Sequence, residues 1–283
     1  MEGLGSFQKK HAGTGMTQLT EYEGCSLAYR DMGSGAVLML VHGFGETGDV
    51  WDLQFEALSK DFRLLVPDLP GSGSSNLPKD REFGLEDHAR RLLHILEREG
   101  VASCTMVGHS MGGYVTLAFA EMFPERLAAM GLFHSTALPD DEERKSLRLR
   151  SIDFIEGYGP GPFLREAIPK LYAESYRMSH PREVDGHAEN SALNFESRTL
   201  VSYYRAMMTR PDRRNVLGGL GKPVLMVMGE EDKTVILKDV LPQCALPEEC
   251  HMHVWPGVAH MGMREVPQLT NLVLSEFMRE VNL

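Results

Sequence analysis

Short apolar runs recur along the chain, most followed by a stretch with helical spacing, and this alternation constrains the fold more than any other feature. The runs are Val37–Val41, Leu64–Val66, Cys104–Val107, Ala128–Phe133, Val224–Met228 and Met252–Trp255. Most are continuously apolar, as parallel strands buried on both faces must be. Among the helical stretches, Leu85, Ala89, Leu92, Leu93 and Leu96 share one helix face, and Leu269, Leu272, Val273 and Phe277 follow a similar spacing near the C-terminus. Strand and helix in alternation predict an α/β fold with a mostly parallel central sheet. Ahead of the first run, Gln18–Tyr22 and Ser26–Asp31, joined at Glu23-Gly24, predict an antiparallel hairpin on the edge of that sheet.

The alternation breaks between about Pro139 and Leu217. Asp140-Asp141-Glu142-Glu143 followed by Arg144-Lys145 suits a helix start, because acids are favoured at the positive end of the macrodipole. Helical patterning continues around Leu147, Phe154 and Ile155 and returns around Val201, Tyr204 and Met208, while Gly157-Tyr158-Gly159-Pro160-Gly161-Pro162 reads as a loop. The expected organisation is a flexible leader at 1–15, a core in two parts at 16–136 and 217–283, and a helical cap or lid insertion at 137–216 between them. Met16 is a candidate alternative start, and the leader lacks the apolar centre of a signal peptide.

Composition narrows the class. With 29 Lys and Arg against 40 Asp and Glu, the formal charge is −11. That argues against a nucleic-acid partner, which calls for a basic face. No apolar run reaches the ~18–20 residues of a membrane helix. Four scattered cysteines (Cys25, Cys104, Cys244, Cys250) make no disulfide framework, which favours a reducing cytoplasm. Cys250-His251-Met252-His253 has no second ligand pair at zinc spacing, so no metal is expected there.

The most informative segment is Gly108-His109-Ser110-Met111-Gly112-Gly113. A bare G-x-S-x-G is weak, arising by chance in roughly one random chain in ten of this length. Here it follows the run Thr105-Met106-Val107 and opens the helical stretch Tyr114–Met122. Strand, tight turn with serine at its apex, then helix is a nucleophile elbow. His42-Gly43-Phe44-Gly45 closes the first buried run. A turn there can aim the Phe44 N–H at the same point as the Met111 N–H, and two convergent donors make an oxyanion hole. The serine needs a base and the base an orienting acid. His260 follows the last strand, and Asp232 follows the preceding one beside Glu230 and Glu231. The order Ser, acid, His suits this elbow, and both positions lie past carboxyl ends of strands, where open sheets place their sites.

Taken together, HGFG at 42–45, DLPGSGSS at 68–75, GHSMGG at 108–113, GEED at 229–232 and PGVAH at 256–260 resemble the α/β-hydrolase family, in its lidded small-esterase branch. The resemblance covers the chain from about Met16 to its end. It implies Ser110 as nucleophile, His260 as general base and then acid, Asp232 as orienting acid through the G-x-x-D offset, and the Phe44 and Met111 amides as oxyanion donors. It implies supporting roles for His42, Gly43, Gly45, Gly108, His109 and Gly112. A serine at 110 departs from the dehalogenase and epoxide-hydrolase branches, which carry aspartate there.

The expectation is therefore a cofactor-free, metal-free serine hydrolase acting on a small or medium acyl ester. The same elbow also serves C–C bond hydrolysis, lyase or perhydrolase chemistry, and a ligand-sensing receptor with residual hydrolysis is a third class. The expected partner is a small-molecule acyl substrate, with no nucleic acid and no membrane span, in a monomer or homodimer. His134, at a strand end, is read as equally suited to the pocket and to packing. Glu46 is read as an exposed loop acid ahead of an alternative place at the pocket mouth. Phe154, Phe163, Tyr172, Tyr176, Tyr203, Tyr204, Met207 and Met208 supply aromatic and thioether surface, a few of them for an apolar acyl pocket.

Overall fold

The computed structural model describes residues 16–78 and 82–282; the leader assigned to 1–15 lies outside them. Among the described residues one sheet has eight strands: β1 (Met16–Tyr22), β2 (Cys25–Met32), β3 (Val37–Val41), β4 (Arg63–Pro67), β5 (Cys104–His109), β6 (Leu127–Phe133), β7 (Val224–Gly229) and β8 (Cys250–Trp255). Their order is β1-β2-β4-β3-β5-β6-β7-β8. β1 pairs with β2 antiparallel, β2 with β4 antiparallel, and every later pair is parallel. The hairpin turns at Glu23 and Gly24, both with positive φ. β5 and β7 are buried along their whole length, as their mainly apolar sequences require.

Helices α1 (Asp52–Leu58), α2 (Leu85–Arg98) and α3 (Met111–Met122) connect the first strands. Between β6 and β7 the chain passes through α4 (Glu142–Tyr158), α5 (Pro160–Ala167), α6 (Glu174–Ser179), α7 (Pro181–Asn194), α8 (Ser197–Met208) and α9 (Arg214–Gly219). The short α10 (Leu237–Val240) and α11 (Gly262–Glu265) precede the closing α12 (Pro267–Glu280). The Gly-Tyr-Gly-Pro-Gly-Pro stretch is no extended loop. α4 runs to Tyr158, Gly159 breaks it at φ 85°, and Pro160 starts α5, where a missing N–H costs nothing.

α12 corrects a second expectation. Its buried stripe is Thr270, Val273, Leu274, Phe277 and Met278, while Leu272 is half exposed. Two overlapping stripes fit the same spacing, and packing against α1 and α11 selects between them.

Candidate active site

Ser110 is the single residue between β5 and α3, with φ 51° and ψ −116°. A non-glycine residue at positive φ is strained and must be held by its surroundings. Here the Ser110 N–H donates to the Phe133 carbonyl at 3.0 Å, and the Ser135 hydroxyl donates to the Ser110 carbonyl at 2.8 Å. The flanking glycines allow close backbone approach. A Cβ on Gly108 would stand 2.2 Å from the Gly112 carbonyl oxygen, and one on Gly112 would stand 2.4 Å from the Val41 oxygen. That contact seats the elbow against the end of β3, where the 42–45 loop begins. The Met111 N–H opens α3 and has no acceptor inside the helix.

Asp232 and His260 follow the ends of β7 and β8 and meet there. His260 Nδ1 lies 2.7 Å from Asp232 Oδ2, and Asp232 Oδ1 accepts the N–H groups of Thr234 and Val235 at 2.8 and 3.0 Å. Burial would raise the Asp232 carboxyl, but the charge of His260 and hydrogen bonds from His134 and His260 hold it well below the usual range. Burial pulls the His260 imidazole down, yet the Asp232 carboxylate outweighs it by charge and hydrogen bond, so the ring titrates above its ordinary value.

Asp232 Oδ2 has a second imidazole 3.2 Å away, Nδ1 of His134. Burial dominates there and lowers His134 to about 4, so at neutral pH this contact is a hydrogen bond rather than an ion pair. His134 sits at φ 49°, and its buried Nε2 has no partner among the described residues. A Cβ on Gly262 would lie 2.5 Å from that nitrogen. His134, Asp232 and His260 also form the one group among the described residues whose donor atoms could gather on a metal, within 4.8 Å of one another. His251, from the Cys-His-Met-His run, instead pairs with Glu249 and Glu280.

Glu46 overturns its sequence reading. Far from exposed, it is only 2% accessible. Its Oε2 accepts the Gly43 N–H at 2.7 Å and lies 2.9 Å from His109 Nδ1. His109 Nε2 faces the His260 carbonyl at 3.0 Å, so it carries a hydrogen, because a carbonyl only accepts. Burial opposes ionisation of Glu46, but His109 and the Gly43 amide bring its carboxyl down to about 2. One carboxylate and one ring thus join the 42–45 loop, the elbow and the His260 loop. Nothing in the spacing of residue 46 announced this; the neighbour needed is 63 positions away. Glu265 was also missed. It receives the N–H groups of Ala173 and Met261 at 3.1 Å and of Ala259 at 3.2 Å, fastening the His260 loop to the inserted helices.

His42 holds its own loop in place. Its Nδ1 bonds the Gly43 carbonyl at 2.8 Å, and its Nε2 accepts the Leu69 N–H at 2.9 Å. Gly45 takes φ 71°, and a Cβ there would press within 3.0 Å of Leu164.

Ser110 and His260 line one cavity of about 130 Å³, with Phe44, Glu46, Tyr114, Leu164, Ile168 and Met207 among its walls. Tyr204 and Met207 are the members of the aromatic and thioether set that reach it. Tyr204 stacks on Phe44 with ring centroids 4.3 Å apart. A larger cleft of about 510 Å³, lined by Glu82, Arg198 and Arg205, touches none of these residues.

A profile described as the alpha/beta hydrolase fold matches residues 36–152. An esterase from Thermogutta terrifontis, solved with malate bound, is 30% identical, superposes with a TM-score of 0.87 and covers 94% of this chain and 99% of its own. Lipase 3 of Moraxella sp. (strain TA144) is 24% identical over 261 residues, which is 84% of this chain and 78% of the lipase. The enol-lactonase of Burkholderia xenovorans LB400, at 19% identity, shares the fold with a TM-score of 0.85 over 93% of this chain and 100% of its own. The chain belongs to the alpha/beta hydrolase fold family. It is an enzyme of the hydrolase class, with esterases and lipases among its relatives. No described helix is long and apolar enough to cross a membrane.

Proposed function

We propose that the protein is a serine esterase for short acyl esters, with Ser110 as nucleophile, His260 as base and Asp232 as orienting acid. The observation that carries this reading is that His260, with Nδ1 bonded to Asp232, lines the same small cavity as Ser110. His260 Nε2 takes the hydroxyl proton as Ser110 Oγ bonds to the ester carbonyl carbon. The carbonyl oxygen becomes an oxyanion between the Phe44 and Met111 amides. Collapse breaks the bond to the alkoxy group, which leaves as the alcohol with the proton from His260. Water, deprotonated by His260, then attacks the acyl-enzyme and frees the acid and Ser110.

The helices at 142–219 serve as a lid in this reading. Leu164, Ile168 and Leu171 from the insertion line the cavity, and the Leu171 carbonyl accepts the His260 N–H at 2.8 Å. Liquid water occupies roughly 30 Å³ per molecule. A cavity of about 130 Å³ therefore suits an acyl group of a few heavy atoms. The relatives that are esterases and lipases support ester cleavage.

The test is hydrolysis of p-nitrophenyl acetate, butyrate and octanoate by wild type and Ser110→Ala. The variant should lose several orders of magnitude in kcat, and the wild type should favour the two short esters. Ser110→Ala retaining more than about a tenth of wild-type turnover overturns the assignment.

A further inference from the structure

The small cavity beside Ser110 is apolar on most of its surface, yet two guanidinium groups, Arg144 and Arg148 of α4, line it as well. A cation beside apolar walls is costly unless an anion accompanies it. Arg148 has part of one: its Nε and Nη2 grip Asp140, the latter at 3.2 Å from Oδ1. Asp140 is dry, and the same carboxylate also takes Arg210 Nη1 at 2.9 Å. One acid between two guanidinium groups leaves a net positive charge. Arg148 lies over the Tyr204 ring, 5.5 Å from its centroid, which keeps the charge at the cavity wall.

Arg144 has less. Its Nη1 donates to the Thr234 carbonyl at 2.8 Å, and no carboxylate pairs with it among the described residues. The neighbouring acids are engaged elsewhere or exposed. Asp141 Oδ1 accepts the backbone N–H of Arg144, Glu142 pairs with Lys145, and Glu143 faces solvent. Glu46, a carboxylate that does line the cavity, is bonded to Gly43 and His109. A chain with a formal charge of −11 has thus placed two guanidinium groups, neither with a carboxylate to itself, on the wall of one small cavity.

We propose that Arg144 and Arg148 bind a free carboxylate at the far end of a short acyl chain, so that the substrate is a half-ester of a small dicarboxylic acid. A planar guanidinium with N–H groups to spare matches a carboxylate in shape and charge. The cavity has room for a short chain between that carboxylate and the ester carbon at Ser110. The inference deepens the proposed esterase reading and rests on Ser110 being the nucleophile.

Monomethyl succinate and methyl levulinate test it, since they match in size and differ by a carboxylate in place of an acetyl group. Wild type should favour the succinate ester in kcat/KM by roughly ten- to hundredfold, the usual worth of hydrogen bonds to a charged group. Arg144→Gln should cut that preference about tenfold or more, chiefly through KM, and Arg144→Lys should restore part of it. A second arm needs no turnover. Free succinate should raise the melting temperature of Ser110→Ala, relative to sodium chloride at equal ionic strength, and adding Arg144→Gln should abolish the rise. A preference at or below one, a preference unmoved in folded Arg144→Gln, or no succinate shift overturns the proposal. If neither ester is hydrolysed, the succinate shift alone decides. Hydrolysis surviving in Ser110→Ala beside an intact succinate shift would instead overturn the esterase assignment and spare the carboxylate site.

Discussion

Asp232 and Glu46 are both buried carboxylates bonded to Nδ1 of a histidine, but the two rings differ in what their second nitrogen meets. His109 turns Nε2 onto the His260 carbonyl, so both of its ring nitrogens are committed inside the protein. His260 gives Nδ1 to Asp232 and lines the cavity it shares with Ser110. The same chemical pair therefore makes a clamp in one place and, in the proposed mechanism, a base in the other. The cavity beside the ring, not the carboxylate, separates the two roles.

The largest expected effect that sharpens this contrast is on the Asp232 side. Asp232→Asn should lower kcat by about 10⁴ with the fold intact. It should also move the acid limb of the pH–rate profile. A base works only when neutral, and His260 is raised by Asp232, so the wild-type limb should lie above 6.5. In Asp232→Asn burial is opposed only by the charges of Glu46 and Glu265, and the limb should shift downward. A kcat/KM profile from pH 5 to 9 measures both, and a limb that stays put breaks the proposed pairing.

Glu46→Gln should act first on stability. Losing buried hydrogen bonds to a charged group typically costs on the order of 1.5–3 kcal/mol. The urea midpoint should fall accordingly, while the acid limb of the folded fraction should move down by less than in Asp232→Asn, because Glu46 acts on His260 by charge alone and less strongly than Asp232. A variant that moves the limb as far as Asp232→Asn does would erase the distinction between clamp and base.

Acid unfolding follows from the same groups. Glu46, lowered to about 2, contributes stability above its unfolded value of about 4.5 that is lost as pH falls toward 2. His134 and His88, lowered to about 4 and about 3, take up protons in the unfolded chain from about 6.5 downward, so they too favour unfolding as pH falls. His260 works in the opposite sense: its contribution is present below 6.5 and is lost as pH rises through its raised folded value. Urea midpoints at pH 7.5, 5.5 and 4.5 should decline in that order.

The smallest effect should come from His134→Asn. Asparagine tolerates the positive φ at 134. The change removes one hydrogen bond from Asp232 while leaving His260 in place, and kcat should drop within about tenfold, as for loss of a single neutral bond.

The elements most legible in the sequence were those whose cause is local. Buried strands announce themselves by continuous apolar runs, and β3, β5 and β7 start where those runs start. The elbow is legible because Gly108 and Gly112 have one physical reason, the backbone contacts that any Cβ would block. Glu46 was misread and Glu265 missed because a lone glutamate in a loop carries no periodicity. The buried face of α12 was misplaced because spacing allows two stripes. A formal charge of −11 sets the long-range field, while the field at a cavity is set by the charges that line it.

Composition, periodicity and turn chemistry are properties of neighbouring residues, and from them alone follow the α/β class, the antiparallel hairpin and the order of serine, acid and histidine. Tertiary structure decided which side chains share a proton or a wall: His134 against Asp232, Glu46 against His109, and Arg144 and Arg148 at the cavity. Those pairings join residues far apart along the chain, and only the packed sheet with its inserted helices brings them within hydrogen-bond reach.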